Sequence, residues 1–205
     1  MTIVSVRISH PHRGKDDIVK GRLLRFAGIA ARYGANARVA KVVAGANAGA
    51  MHSWNAYENF EAGAKSFSAY VNDPEYLALM QEIGSQPGAD NEGPYVARFV
   101  HGAPVKKSFV IQREWATDRE GMQKAKSMMD ELEGIVKPHD VAVTLVAPAI
   151  GPDHQVMYAN YSFNSMEHWG KVMDVMMTDK KMIDFQDRAA GMGTLRSSSA
   201  VQIVG

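Results

Sequence analysis

The chain has 205 residues, 46% hydrophobic and 22% charged, with a formal net charge of +1. That balance suits one large globular domain or two small ones, excludes wholesale disorder, and leaves no electrostatic footprint for nucleic acid or an anionic membrane. The absence of cysteine removes disulfides, thiolate metal sites and cysteine nucleophiles together.

No uncharged apolar run approaches the roughly 18 residues that span a bilayer. The start, MTIVSVRISH, has neither a basic segment nor a long apolar one, so a cytoplasmic location is expected. TIVSVRIS (2–9) alternates and is β-branched, which predicts a strand. Ile18, Val19, Leu23, Phe26, Ala27 and Ala30 then recur at helical spacing, with Gly34 as the stop. ARVAKVVA (37–44) and AMHSWNAYE (50–58) read as strands of a hairpin turned by GANAG (45–49). Phe60, Ala64, Phe67 and Val71 form a stripe expected to be buried. Asp73-Pro74 caps a further helical turn. Residues 84–94 read as a Gly/Pro-rich loop long enough to act as a lid, followed by a strand over 95–101.

The second half repeats this order. Phe60 maps to Met166, Glu61 to Glu167, Lys65 to Lys171 and Asp73 to Asp179, each shifted by 106 positions. SFVIQREW (108–115) is a strand, TDRE (117–120) reads as a capping box, and Met122, Ala125, Met129, Leu132 and Ile135 mark a helix face. DVAVTLVA and QVMYANYSF make a hairpin, and SAVQIV closes the series. The fold expected is α+β: two tandem ferredoxin-like β-α-β-β-α-β repeats, residues 1–104 and 105–205, joined at GAPVKK (102–107). Asp179 is followed by Lys180 and Lys181, which oppose the helix dipole, so the second copy is less well capped.

Two such units, each with an (F/M)ExxxK…D second helix, resemble the dimeric α+β barrel superfamily over nearly the whole chain. The resemblance extends to its antibiotic-biosynthesis-type monooxygenases and NIPSNAP-like proteins. It implies that one chain closes a barrel by itself, with a homodimer of such chains also compatible. It also implies a range of activities: cofactor-free monooxygenases, haem-degrading monooxygenases, muconolactone-type isomerases, polyketide cyclases and members without known activity. Fold alone does not choose among them.

Strand alternation places His52, Trp54 and Ala56 on one face of the third strand, and Tyr95, Ala97, Phe99 and His101 on one face of the fourth. Arg7 lies on the first strand, with Arg113 at the matching place in the second half. A histidine can take a proton from a phenol or an enolisable carbonyl. His52 is therefore the candidate catalytic base, with Trp54, Tyr95, His101 and Arg7 as candidate substrate-binding residues. One pocket is expected, lined by the first half and supported by the second.

His10 and His12 lack a third ligand in sequence, so no metal site is expected. The haem-degrading relatives use an Asn, a Trp and a second-helix His. Here Trp54 stands in the first half and Asn160 with His168 in the second, so neither half holds the set. No cofactor is called for. The expected partner is a small molecule, with no nucleic acid and no membrane. The leading reading is a barrel acting on a small aromatic or apolar substrate as a cofactor-independent monooxygenase or isomerase. A non-catalytic binding or structural protein is its rival, and haem binding a third option.

Overall fold

The computed structural model describes all residues from Met1 to Gly205. The first half runs β1 (Ile3–Pro11), α1 (Asp16–Arg32), β2 (Asn36–Gly45), β3 (Met51–Tyr57), α2 (Phe60–Tyr70), α3 (Pro74–Ser85) and β4 (Ala89–His101). The second runs β5 (Phe109–Ala116), α4 (Arg119–Val136), β6 (Ala142–Ile150), β7 (Val156–Phe163), α5 (Met166–Met176), α6 (Lys180–Ala189) and β8 (Thr194–Ile203). The order expected from sequence is present twice, each second helix being divided at its Asp cap.

The strands close into one barrel in the order β1-β3-β2-β8-β5-β7-β6-β4. Each half supplies a four-stranded antiparallel sheet, β4-β1-β3-β2 or β8-β5-β7-β6. The halves meet edge to edge, β2 against β8 and β4 against β6. Either half alone would leave two rows of unpaired N–H and C=O groups, and closure removes both.

The outer face of the barrel lies under the helices. In the second half Phe109, Leu145, Met157 and Phe163 pack against Ala125, Met129 and Leu132 of α4 and Phe185 of α6. In the first half Val39 and Met51 lie under Val19 and Leu23 of α1. Inside the barrel, Ala40, Val42, Ala50, Val110 and Val201 fill one side.

Several expectations are corrected. The Phe60–Ala64–Phe67 stripe faces solvent, with Phe60 42% and Phe67 49% exposed, while Ser66 and Tyr70 are buried. Small residues decide this. A Cβ on Gly63 would stand 3.0 Å from Ile3 Cδ1, and Ser66 Oγ lies 3.3 Å from the Tyr57 hydroxyl it donates to. The helix approaches the sheet closely along its Gly63–Ser66–Tyr70 side. The same happens in α5, where Val172 and Met176 are buried and Met166 and Met177 are exposed.

The capping box gives way to a single cap. Asp118 accepts from the Gly121 N–H at 2.8 Å, whereas Thr117 Oγ1 donates to the Met192 carbonyl. Asp73 caps α3 as expected and also accepts from Arg32 and Tyr33. The Arg32 hydrogen bond is the main cause that holds its carboxyl down at about 2. Asp179 caps α6 through the Met182 N–H despite its lysines. The lid is absent as a loop: residues 89–94 are strand, paired with β1 as far as Pro11.

Gly45 ends β2 at φ +85°, and a Cβ there would stand 2.1 Å from the Ser198 carbonyl oxygen of β8. Gly45→Ala is expected to destabilise the protein by about 2 kcal/mol or more, by left-handed strain plus a backbone clash across the β2–β8 seam. Gly28→Ala on α1, where a Cβ meets nothing within 4 Å, is the control, expected to be neutral or stabilising. Urea unfolding of both variants checks this.

Candidate functional site

Alternation turns Val4, Val6 and Ile8 of β1 and His52, Trp54 and Ala56 of β3 into the barrel, where they line a cavity of about 410 Å³. Register fixes their neighbours. His52 lies opposite Ile8 on β1 and Ala40 on β2, and Trp54 lies opposite Val6 and Arg38.

His52 is only 6% exposed, and neither ring nitrogen has a hydrogen-bond partner in the protein. Its ring meets Trp54 edge-on at 6.0 Å between centroids. Burial chiefly, and then the charge of His10, hold its pKa down at about 4 against a smaller upward pull from Glu92. The imidazole is therefore neutral at pH 7. An unpaired buried polar group costs about 1–3 kcal/mol, which a bound molecule offering a donor or acceptor would offset.

A bulge brings Glu92 and Tyr95 to the same cavity. They are three residues apart and in a regular strand would face opposite ways. β1 pairs Val6 with Tyr95 but Ile8 with Glu92, so Gly93 and Pro94 together stand opposite Arg7 and β4 carries one extra residue. Gly93 has φ +86°, and a Cβ on it would stand 2.7 Å from the Val6 carbonyl. Tyr95 donates to Glu92 at 3.3 Å, and Glu92 meets His10 Nε2 at 2.8 Å. Burial, then Glu92, raises the Tyr95 pKa.

The second half lines the same cavity. Gln112 donates to Asn160 at 3.1 Å and Asn160 to Thr144 at 3.3 Å, a chain across β5, β7 and β6. Glu114 and Tyr158 stand opposite each other on β5 and β7. Burial first, with Glu114 and Asp153, pushes the Tyr158 phenol up to about 12. The pocket is thus shared between halves, rather than lined by the first and supported by the second.

Three of the five residues singled out from sequence, His52, Trp54 and Tyr95, face this cavity. Arg7 and His101 do not. Arg7 is on the outer face of β1, its guanidinium 4.9 Å from the Phe26 ring centre of α1. His101 is turned outward by a second irregularity: Phe99 pairs with Val146, but His101 pairs with Leu145, whose side chain lies under α4. There His101 Nε2 meets Glu133 at 3.3 Å and Nδ1 lies 3.8 Å from Asp130. Sequence reasoning passed over Arg38, Gln112, Glu114 and Tyr158. The alternation that found His52 would have placed them on one face of their strands.

The second-half haem residues are not presented as a set. His168 Nδ1 accepts from the Asn164 N–H at 3.1 Å and Nε2 meets the His139 carbonyl at 2.9 Å, so both nitrogens are engaged by backbone. Asn160 faces the cavity on the other side of the sheet.

No family model and no curated protein matches the sequence. Solved structures do match in shape. A putative monooxygenase from Fusobacterium nucleatum superposes with a TM-score of 0.65 at 9% identity, covering 100% of this chain and 93% of that one. A putative chlorite dismutase gives 0.58 at 12% identity, covering 100% and 95%. An anthrone oxidase-like protein gives 0.57 at 10%, covering 100% and 92%. The fold is the dimeric α+β barrel. Here a single chain supplies both halves of that barrel, and no helix is long and apolar enough to cross a membrane.

The neutral state of His52 has a measurable consequence. Below about pH 6.5 the unfolded chain takes a proton on this residue that the folded barrel refuses until about 4. Stability is therefore lost as pH falls through that window, by about 3 kcal/mol for this group. His52→Gln should lose about that much less than wild type between pH 7 and pH 4 in urea unfolding. Equal losses would show that His52 is not held neutral by burial.

Proposed function

We propose that the barrel binds a small aromatic or apolar molecule and removes a proton from it at His52, acting as a cofactor-independent monooxygenase or isomerase. The observation that carries this is the His52 imidazole: buried, neutral, unpaired on both nitrogens, and belonging to a residue that lines the cavity beside Trp54. Such a group is a proton acceptor without an acceptor's usual partner. A pKa of about 4 makes it a weak base toward water. Toward a bound substrate the balance differs, because the anion formed on deprotonation lies beside the new imidazolium. Their attraction in a low-dielectric cavity offsets the burial that depressed the base.

In the oxygenase form of the reaction, His52 takes the proton from an activated CH₂ group. The carbanion gives its electrons to dioxygen, and the resulting hydroperoxide loses water to leave a carbonyl. One substrate and one O₂ yield one ketone and one H₂O, with no external reductant. In the isomerase form the same proton returns to a different carbon. The putative monooxygenase and the anthrone oxidase-like protein that share the fold support the first form.

Anthrone is the probe, its product anthraquinone followed by absorbance and its oxygen uptake by electrode. Wild type is expected to turn it over, with kcat/KM falling only toward pH 4 rather than near 6.5. His52→Ala should reduce kcat/KM by about 100-fold or more while circular dichroism and Tm are retained. Unchanged kcat/KM in that variant would remove His52 from the chemistry. Saturable binding of anthrone without oxygen uptake would favour the non-catalytic reading. Haemin titration is expected to give no saturable Soret shift.

A further inference from the structure

Arg38 is a cation in the barrel without a counter-ion. It lies on β2, lines the cavity and stands directly across from Trp54 on β3. Its hydrogen bond to the protein, from Nη1 to the Lys107 carbonyl, is long at 3.4 Å. Burial alone perturbs its pKa, downward, and no carboxylate contributes. Arg22 and Arg32, by contrast, are paired, with Glu82 at 2.9 Å and Asp73 at 3.0 Å, while Arg7 and Arg113 lie over the rings of Phe26 and Tyr161. Of the cavity's acids, Glu92 meets His10 at 2.8 Å, and Asp153 and Glu114 share Arg196 at 2.6 Å and 3.8 Å. Arg38 is the charged side chain of the cavity wall that has no ion-pair partner of its own.

A half-buried guanidinium without an ion-pair partner favours a planar anion that accepts two of its N–H groups. The strand geometry says where the rest of that molecule would lie. Cross-strand partners have Cβ atoms about 5 Å apart, so Arg38 flanks Trp54. His52 is two residues from Trp54 on the same face of β3, about 7 Å along the strand. A ring lying along Trp54 therefore has Arg38 at its side and His52 toward its end.

We infer that the cavity selects an aromatic ring carrying an oxyanion, carboxylate or phenolate, with the anion on Arg38, the ring along Trp54 and the reacting edge at His52. This deepens the function proposed above and rests on it only for the reacting edge. The anion preference stands on Arg38 alone.

Isothermal titration with matched probes tests it: 2-naphthoate against 2-naphthamide for the carboxylate arm, and 4-nitrophenolate against nitrobenzene for the phenolate arm. Wild type is expected to bind the anion of at least one pair about 10- to 100-fold more tightly than its neutral partner. Arg38→Met should abolish that preference while leaving the neutral ligand's Kd within about twofold, and Arg38→Lys should keep part of it. Retained binding of the neutral ligand shows that each variant is folded around an intact cavity. Equal affinity for anion and neutral partner in both pairs, or a preference that survives Arg38→Met, would overturn the inference and leave the cavity reading standing. If none of the four probes binds, the small-molecule reading fails and the anion preference falls with it.

Discussion

Barrel closure is the constraint on which the rest depends. The two half-sheets are open sheets whose edges satisfy one another, β2 with β8 and β4 with β6. Once closed, every strand has one face under helices and one face inside. The period-2 alternation that in an open sheet would separate core from solvent here separates core from cavity. The inner face can therefore hold polar groups such as Arg38, Gln112 and Asn160, because the stabilising apolar contacts lie mainly outside, between sheet and helices. The seam is tight enough that Gly45 of β2 lies within contact of the Ser198 carbonyl.

Within the cavity, polarity is uneven. One side is packed with small and branched apolar residues around Val201 and Val110. The remaining space holds a neutral imidazole, a guanidinium without a counter-ion, tyrosines and an amide chain. Burial is the common cause of the shifts on His52, Arg38 and Tyr158: it lowers the two bases and raises the phenol. A cavity that keeps His52 neutral is also one in which a substrate anion and an imidazolium interact strongly. The cost in acid stability and the proposed catalytic role thus have the same origin.

The two halves share scaffold features and differ on the inner face of the barrel. Both copies keep the Asp cap before α3 and α6 and the exposed stripe on α2 and α5. On the inner face of the third strand of each half, His52 and Trp54 stand in the first, while the second has Tyr158 and Asn160. The scaffold repeats and the chemistry does not, which is why one cavity draws different groups from each side.

Element order, the duplication and the alternation that aims His52 and Trp54 to one side follow from local sequence, because strand and helix periods are set by neighbouring residues. Helix burial was legible only for α1 and α4. On α2 the apolar stripe misled, since Gly63 and Ser66 win the sheet side by allowing close approach, a fact about the partner surface. The faces of Glu92 and His101 were undetermined for a related reason. Each depends on an extra residue in β4, and a bulge exists only relative to the strand it is paired with. Arg7 and Arg38 are both arginines on strands. The sequence places them in alternating patterns, but only closure of the barrel decides which face becomes the cavity, leaving Arg7 against Phe26 and Arg38 inside without a counter-ion.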